Sequence, residues 1–225
     1  MEPKTPEDKD KTFDLLRHKK TEAETDNDLI NRPTPAFSPE ARGFSMPPPP
    51  ANSSKTTVEE MGSIRRMLKD LSDAQIYRIR HEDTPDVEEL FIEVLEKYGF
   101  VVTKKLRKQL AELSKQLATV GWQYKKRFGR LRPQEWLKLK RFKTILPPSQ
   151  TANSPSYPSN HALIGAFLAR FLGEKFPRAR PTLEEYGRQV GWNRVRAGWH
   201  WASDYAMGRQ LAEHLWKHFD EKGLT

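Results

Sequence analysis

Tyr157-Pro158-Ser159-Asn160-His161-Ala162 opens the most apolar stretch of the chain. Pro158 fixes φ, and Ser159 or Asn160 is a suitable N-cap. Leu163, Ile164, Phe167, Leu168, Phe171 and Leu172 then recur at helical spacing. The pattern predicts a buried helix with His161 in its first turn, beside backbone N–H groups that have no intrahelical acceptor. Such a turn is a ready anion site. Taken alone, the same residues also describe an ordinary capped helix with a surface histidine.

Two further blocks flank this one. Upstream, Lys125 is followed after six residues by Arg132-Pro133. Two turns of helix would bring Lys125 and Arg132 to nearly the same face, about 10 Å apart along the axis. Pro133 biases Arg132 out of that helix. By itself the block reads equally as a solvated basic helix end. Downstream come Asn193-Arg194, then His200, then Asp204. His200 and Asp204 are four apart and face each other on a helix expected to start near His200. Its inner stripe would be Asp204, Met207, Gly208, Leu211 and Leu215. Arg194 and His200 have poor helical spacing, so a break near Gly198 is expected.

The order Lys125…Arg132-Pro133, Pro158-Ser159-Asn160-His161, Arg194…His200…Asp204 resembles the three-part signature of the type 2 phosphatidic acid phosphatase and vanadium haloperoxidase superfamily. Tyr157 to Gly208, with Gly198-Trp199-His200-Trp201-Ala202-Ser203-Asp204, is most similar to the soluble class A bacterial acid phosphatases. Two positions depart from the pattern: Asn160 stands where the family usually has Gly, and Asn193 where it usually has Ser. Asn tolerates the left-handed backbone better than most residues. Neither change removes a proton-transfer or nucleophilic group.

The resemblance implies an all-α fold, a compact helical bundle of the acid phosphatase and haloperoxidase type. It implies a soluble, metal-independent phosphatase acting on small anionic phosphomonoesters through a phosphohistidine. His200 would be the nucleophile, Asp204 its orienting partner and His161 the acid for the leaving alcohol. Lys125, Arg132, Ser159, Asn160 and Arg194 would hold the phosphoryl oxygens. No cofactor is implied, and vanadate is expected as an inhibitor. A vanadate-dependent haloperoxidase remains the alternative within enzymes, with vanadate then the cofactor. A basic nucleic-acid or membrane-surface module with a relict phosphate pocket is the alternative outside them. Related soluble phosphatases often self-associate, which leaves a homo-oligomer open.

Composition sets bounds. The 225 residues carry a formal net charge of +9 and no Cys, so there is no disulfide framework and no thiolate metal site. Residues 104–143 hold fourteen basic and two acidic side chains. That field attracts anionic substrates and would also bind polyanions weakly and nonspecifically. The longest strongly apolar run, Ala162 to Ala169, is too short to span a bilayer, so no transmembrane segment is expected. The charged start shows no apolar signal-peptide region, which points to a cytoplasmic location, with non-classical secretion left open.

Residues 1–57 hold nine of the seventeen prolines and few large apolar residues. They are expected to form a disordered Pro-rich tail, with residues 58–222 as the helical phosphatase domain. Within the domain, Thr84 and Pro85 suggest a helix start, and Val87, Leu90, Phe91, Val94 and Leu95 a core face ending at Gly99. A long helix is expected from about Thr103 to Phe128, with Leu106, Leu110, Leu113, Leu117, Val120 and Tyr124 as its stripe. Thr182 and Glu185 suggest a capping box. His214 and His218 have a metal-like spacing but no evident third ligand, and a solvated helix face is the expectation. No metal site is expected.

Overall fold

The stretch after Ser159 has few polar side chains to give to solvent, and the other helices assemble around it. The computed structural model describes residues 6–18, 30–142 and 147–224. Its helices are α1 (Pro6–Asp14), α2 (Pro39–Arg42), α3 (Lys55–Lys69), α4 (Asp73–His81), α5 (Val87–Lys97), α6 (Lys104–Phe128), α7 (Pro133–Leu139), α8 (Asn160–Lys175), α9 (Arg180–Arg196) and α10 (Ala202–Trp216). Short 3₁₀ turns follow α8 and close the chain. Among the described residues the only β pairing is one isolated bridge between Phe37 and Phe219. The expected all-α bundle is what the chain forms.

Helix α8 is buried on most sides, from His161 through Gly173, as expected of a helix apolar nearly all round. It packs on α9, α10, α6 and α5. The approach to α9 is close enough that a Cβ on Gly187 would collide with the Gly165 carbonyl. On the other side, a Cβ on Gly208 of α10 would lie 2.5 Å from the Ser159 carbonyl oxygen. Glycine at 208 therefore lets α10 press against the turn that begins α8. The stripe of α6 is buried as its spacing predicts, from Leu110 through Leu113, Leu117 and Val120 to Tyr124. Thr103 caps α6, its side chain accepting from the Leu106 N–H.

The described residues before 58, 6–18 and 30–57, pack against the helices where a disordered tail was expected; residues 1–5 and 19–29 of that tail lie outside the described residues. Ala36, Phe37, Ala41 and Met46 are buried in the main core. The Pro-rich stretch is tied down by helix side chains that reach its carbonyls. The Tyr124 hydroxyl lies 2.8 Å from the Arg42 carbonyl, the Tyr157 hydroxyl donates to Pro47 and the Trp136 indole donates to Asn52. Gln116 accepts from the Ala36 N–H at 2.9 Å. Prolines need no donor partner, so a wrap of this kind is satisfied with few bonds. Helix α1, Pro6–Asp14, precedes this wrap.

Three local expectations also change. Helix α5 begins at Val87 with Asp86 at its cap, two residues later than Thr84-Pro85 suggested. Thr182 and Glu185 form no capping box, because Pro181 starts α9 one turn earlier and puts Thr182 inside the helix. Helix α10 begins at Ala202, so His200 precedes it instead of belonging to its stripe. No described helix is long and apolar enough to cross a membrane.

Candidate active site

Lys125 and Arg132 converge through a turn of the chain, not through two turns of one helix. Helix α6 ends at Phe128, and Gly129 takes the left-handed conformation with φ 58°, its N–H donating to the Lys125 carbonyl at 2.9 Å. The chain then runs extended to Arg132, the residue before Pro133 and the N-cap of α7, as the proline bias predicts. This strand-like piece lies beside the loop from Ser154 to Ser156. Ser156 N–H donates to the Arg130 carbonyl, and the Arg132 Nε donates to the Ser154 carbonyl. The Lys125 ammonium donates to the Pro155 carbonyl at 2.5 Å. Arg132 Nη1 donates to the Trp199 carbonyl at 2.6 Å.

The break at Gly198, φ 70°, brings Arg194 and His200 to the same place. Arg194 is buried, with its guanidinium 4.1 Å from the Trp199 ring centroid. Its Nη1 donates to Asp83 at 2.8 Å, and its Nη2 to Thr151 at 2.6 Å and Ser149 at 3.2 Å. Burial pulls its pKa down to about 10, and the Arg132 guanidinium down to about 9, with Arg194 adding repulsion to the latter. Both remain charged at neutral pH.

His200 Nδ1 lies 3.1 Å from the Asp204 carboxylate, which can only accept. Its Nε2 lies 3.3 Å from Arg132 Nη1, which can only donate. The ring is thereby held with its proton on Nδ1 and a lone pair on Nε2. Burial, then the Arg132 charge, pushes the His200 pKa well below its ordinary value, so the ring is neutral at pH 7. Burial would raise Asp204, but the Arg130 guanidinium and the hydrogen bond from His200 outweigh it and hold the carboxyl at about 2. Asp204 also accepts from the Trp201 N–H at 2.8 Å, which starts α10. His161 Nε2 donates to the Thr84 carbonyl at 3.0 Å, leaving Nδ1 as the nitrogen without a proton. Burial, then Arg194, pushes its pKa down as well.

Lys125, Arg132, Asn160, His161, Arg194 and His200 line one cavity of about 430 Å³. Asp204 stands behind His200, away from the cavity wall. Ser159 is not on the wall either; its hydroxyl accepts from the Ala162 N–H and caps α8. Six of the eight residues singled out from sequence thus face the cavity, and two support it from behind. The N–H groups of Asn160 and His161 belong to the first turn of α8, where no intrahelical acceptor exists.

The family model of the PAP2 superfamily matches residues 110–219, which contain all of these residues. Over that segment the chain matches the PAP2 superfamily. It is 27% identical over 141 residues to a non-specific acid phosphatase of Providencia stuartii, covering 63% of this chain and 49% of that protein. It is 32% identical over 120 residues to a non-specific acid phosphatase of Salmonella typhimurium, covering 50% of this chain and 47% of that one. The chain thus spans about half the length of the curated relatives it matches. Its fold is similar to that of a bacterial vanadium-dependent iodoperoxidase, with TM-score 0.59, 16% identity, and coverage of 80% of this chain and 54% of that chain.

Sequence reading missed three residues of this site. Arg130 is buried and donates to Asp204 at 2.6 Å, to Ser203 at 2.7 Å and to Glu60 at 3.2 Å. Glu60 comes from α3 and also accepts from the Ser203 N–H at 2.6 Å. Asp83 accepts from Arg194, Ser149, Thr151 and the Gln150 N–H, and so pins the 149–151 loop to the site. Burial would raise Asp83, but Arg194 and Thr151 hold it at about 2. The two departures from the PAP2 pattern resolve differently. Asn160 is the first residue of α8 and needs no left-handed backbone; its side chain sits against Gly121 of α6. Asn193 faces away from the cavity and donates to the buried Glu82 at 2.7 Å. Burial raises the Glu82 pKa. Outside the site, the His214 and His218 rings lie tilted to each other with centroids 5.1 Å apart, and Phe44 lies against His214.

Proposed function

We propose that the protein is a phosphatase that hydrolyses small phosphomonoesters through a phosphohistidine on His200. The observation that carries this reading is the state of His200: neutral, with Nδ1–H on Asp204 and its Nε2 lone pair beside the Arg132 guanidinium. A ring held this way is a nucleophile next to a phosphoryl site. The acid phosphatases of the comparison support the same reaction class.

In the first step Nε2 of His200 bonds to phosphorus while the ester P–O bond breaks. The departing alkoxide takes a proton from His161, and the electron pair of the broken bond stays on that oxygen. Lys125, Arg132 and Arg194 neutralise the phosphoryl oxygens, with the first-turn N–H groups of α8 beside them. Asp204 stabilises the imidazole as positive charge builds on it. In the second step water gives its proton to His161 and its oxygen to phosphorus, and the P–N bond breaks to release phosphate and neutral His200. Phosphoryl transfer draws on positioning and charge more than on covalent help, which suits three fixed cations.

Rapid-quench trapping tests the assignment. With an aryl phosphate, the wild-type chain is expected to yield an acid-labile, base-stable phosphoenzyme. His200→Ala is expected to yield none, while His161→Ala still traps it, since aryl leaving groups need little proton assistance. His161→Ala should cost about 10²–10⁴ on alkyl esters. Turnover is expected to survive EDTA and to be inhibited by vanadate. Trapping retained in His200→Ala, or vanadate-supported halide oxidation by peroxide in place of ester hydrolysis, would overturn the proposal.

A further inference from the structure

The cavity is larger than a phosphoryl group needs. At about 430 Å³ it falls within the range, ~300–1,000 Å³, of sites that enclose a whole organic ligand. Its charged and titratable groups, Lys125, Arg132, Arg194, His161 and His200, are all assigned to the phosphoryl end. Gln150, Thr151, Asn153, Ser154 and Asn160 add neutral polar groups, and the remaining lining residues are apolar: Pro85, Val87, Ala118, Trp122 and Ile164. No Asp or Glu lines it among the described residues, so nothing there would pair with an ammonium group on the leaving alcohol.

Trp122 is the unusual member. The chain has six tryptophans. Trp136, Trp192, Trp201 and Trp216 each pack against another aromatic ring, and Trp199 lies under Arg194 and donates to Pro147. Among the described residues, Trp122 alone has no ring partner, no cation over its face and no hydrogen bond from its indole N–H. It belongs to none of the apolar clusters, yet it is half-buried and lines the cavity. A tryptophan normally brings both a large apolar face and a donor that finds a partner when buried. Here the residue lines a cavity whose other end carries Lys125, Arg132 and Arg194.

We infer that Trp122, with Pro85, Val87, Ala118 and Ile164, forms a leaving-group subsite for a flat, uncharged ring, so that the substrates are phosphomonoesters of aromatic alcohols. This rests on the phosphatase reading for the word substrate, but the subsite itself is a binding claim. A flat ring covers the indole face and the apolar residues beside it without setting polar atoms against them.

The test compares benzyl phosphate with ethyl phosphate and glycerol 1-phosphate, all esters of primary alcohols, so that leaving-group chemistry is held nearly constant. The wild-type chain is expected to favour benzyl phosphate in kcat/KM by about 10-fold, the size of one good ring contact. Trp122→Leu, which keeps apolar bulk without a ring, should erase that preference, and Trp122→Phe should keep most of it. Calorimetry with benzylphosphonate and methylphosphonate supplies a readout free of turnover. Tighter binding of benzylphosphonate that is lost in Trp122→Leu supports the subsite even if no ester is hydrolysed, in which case the phosphatase reading fails and the subsite stands. Equal binding of the two phosphonates, equal losses on benzyl and ethyl phosphate in Trp122→Leu, or a wild-type preference for glycerol 1-phosphate overturns it.

Discussion

Arg130→Met isolates the charge that holds the His200–Asp204 pair in place. Methionine keeps much of the buried bulk between Tyr157 and Trp201, whose ring centroids lie 5.9 and 5.1 Å from the guanidinium carbon. It removes the cation from two carboxylates, Asp204 with a side chain 0% exposed and Glu60 at 10%. Removing one partner of a buried pair leaves the other charged and desolvated, at a cost of about 3–5 kcal/mol. Urea denaturation at pH 7, followed by tryptophan fluorescence, should show a loss of that size. The pH dependence has a defined sign. In the wild-type chain Asp204 sits at about 2, below the ordinary 3.8 of an aspartate, so its contribution is full above pH 3.8 and is lost only as pH falls toward 2. In the variant, burial no longer opposed by Arg130 shifts the Asp204 pKa upward, so its carboxyl takes a proton at higher pH than in the wild type and the penalty of its buried charge is relieved as pH falls. The stability gap between the two chains therefore narrows from pH 7 toward pH 4. Turnover should fall by about 10²-fold, because Asp204 is freed to move and His200 with it. A gap under about 1 kcal/mol at pH 7, or one that widens toward pH 4, would refute the reasoning.

Phe37 is the test of the wrapped N-terminal segment: its ring is 2% exposed and meets Phe167 edge-on at 5.6 Å, so Phe37→Ala should cost about 3–5 kcal/mol in chemical denaturation. Deleting residues 30–57 should lower the melting temperature sharply, and an unchanged melt would show that the wrap is dispensable. His161 and His200 both have folded pKa values pushed below 6.5, so the unfolded chain binds more protons and stability declines as pH falls below about 6.5. Histidine NMR should find both rings neutral at pH 6.5 in the free protein and His161 shifted upward by saturating phosphate; a His161 resonance that ignores phosphate would break its assignment as the acid.

What the sequence made legible was whatever had a local signature. The three blocks were readable because Pro133, Ser159 and Gly198 each mark a chain reversal or a helix end beside a reactive side chain. Helix α6 was readable within a residue because its stripe runs unbroken for about five turns and Thr103 caps it. Arg130 was not, because it lies in a basic run and looks like one more solvated charge. Its two-residue spacing from Arg132 was the available signal, since an extended chain puts such a pair on one face. Asp83 sits in a polar connection with no periodicity, and its partner Arg194 is 111 residues away. The segment from residue 30 to 57 misled for a compositional reason: Ala36, Phe37, Ala41 and Met46 are too few and too irregular to show a period, yet each is buried. Prolines that signal disorder in a solvated chain also suit a wrap whose carbonyls are the groups being bonded.

On the proposed function, the arrangement of the cations ties binding to proton transfer. Before any ligand arrives, Lys125 is held by the Pro155 carbonyl, Arg132 by Ser154 and Trp199, and Arg194 by Asp83, Ser149 and Thr151. Their desolvation is met by the fold, so little reorganisation remains for the step in which charge moves. The same cations, with burial, keep His161 and His200 neutral. For His200 that state is useful as it stands, because a nucleophile must be unprotonated. For His161 it is the wrong state for an acid. On the proposed function, a phosphate dianion entering the cavity offsets Arg194, the largest charge acting on His161. It thereby favours the imidazolium. The substrate would then charge the acid that its own leaving group requires, and would do so only when bound. His200 is protected from the same fate by Arg132, 3.3 Å from its Nε2, which disfavours a proton on the nitrogen that must attack.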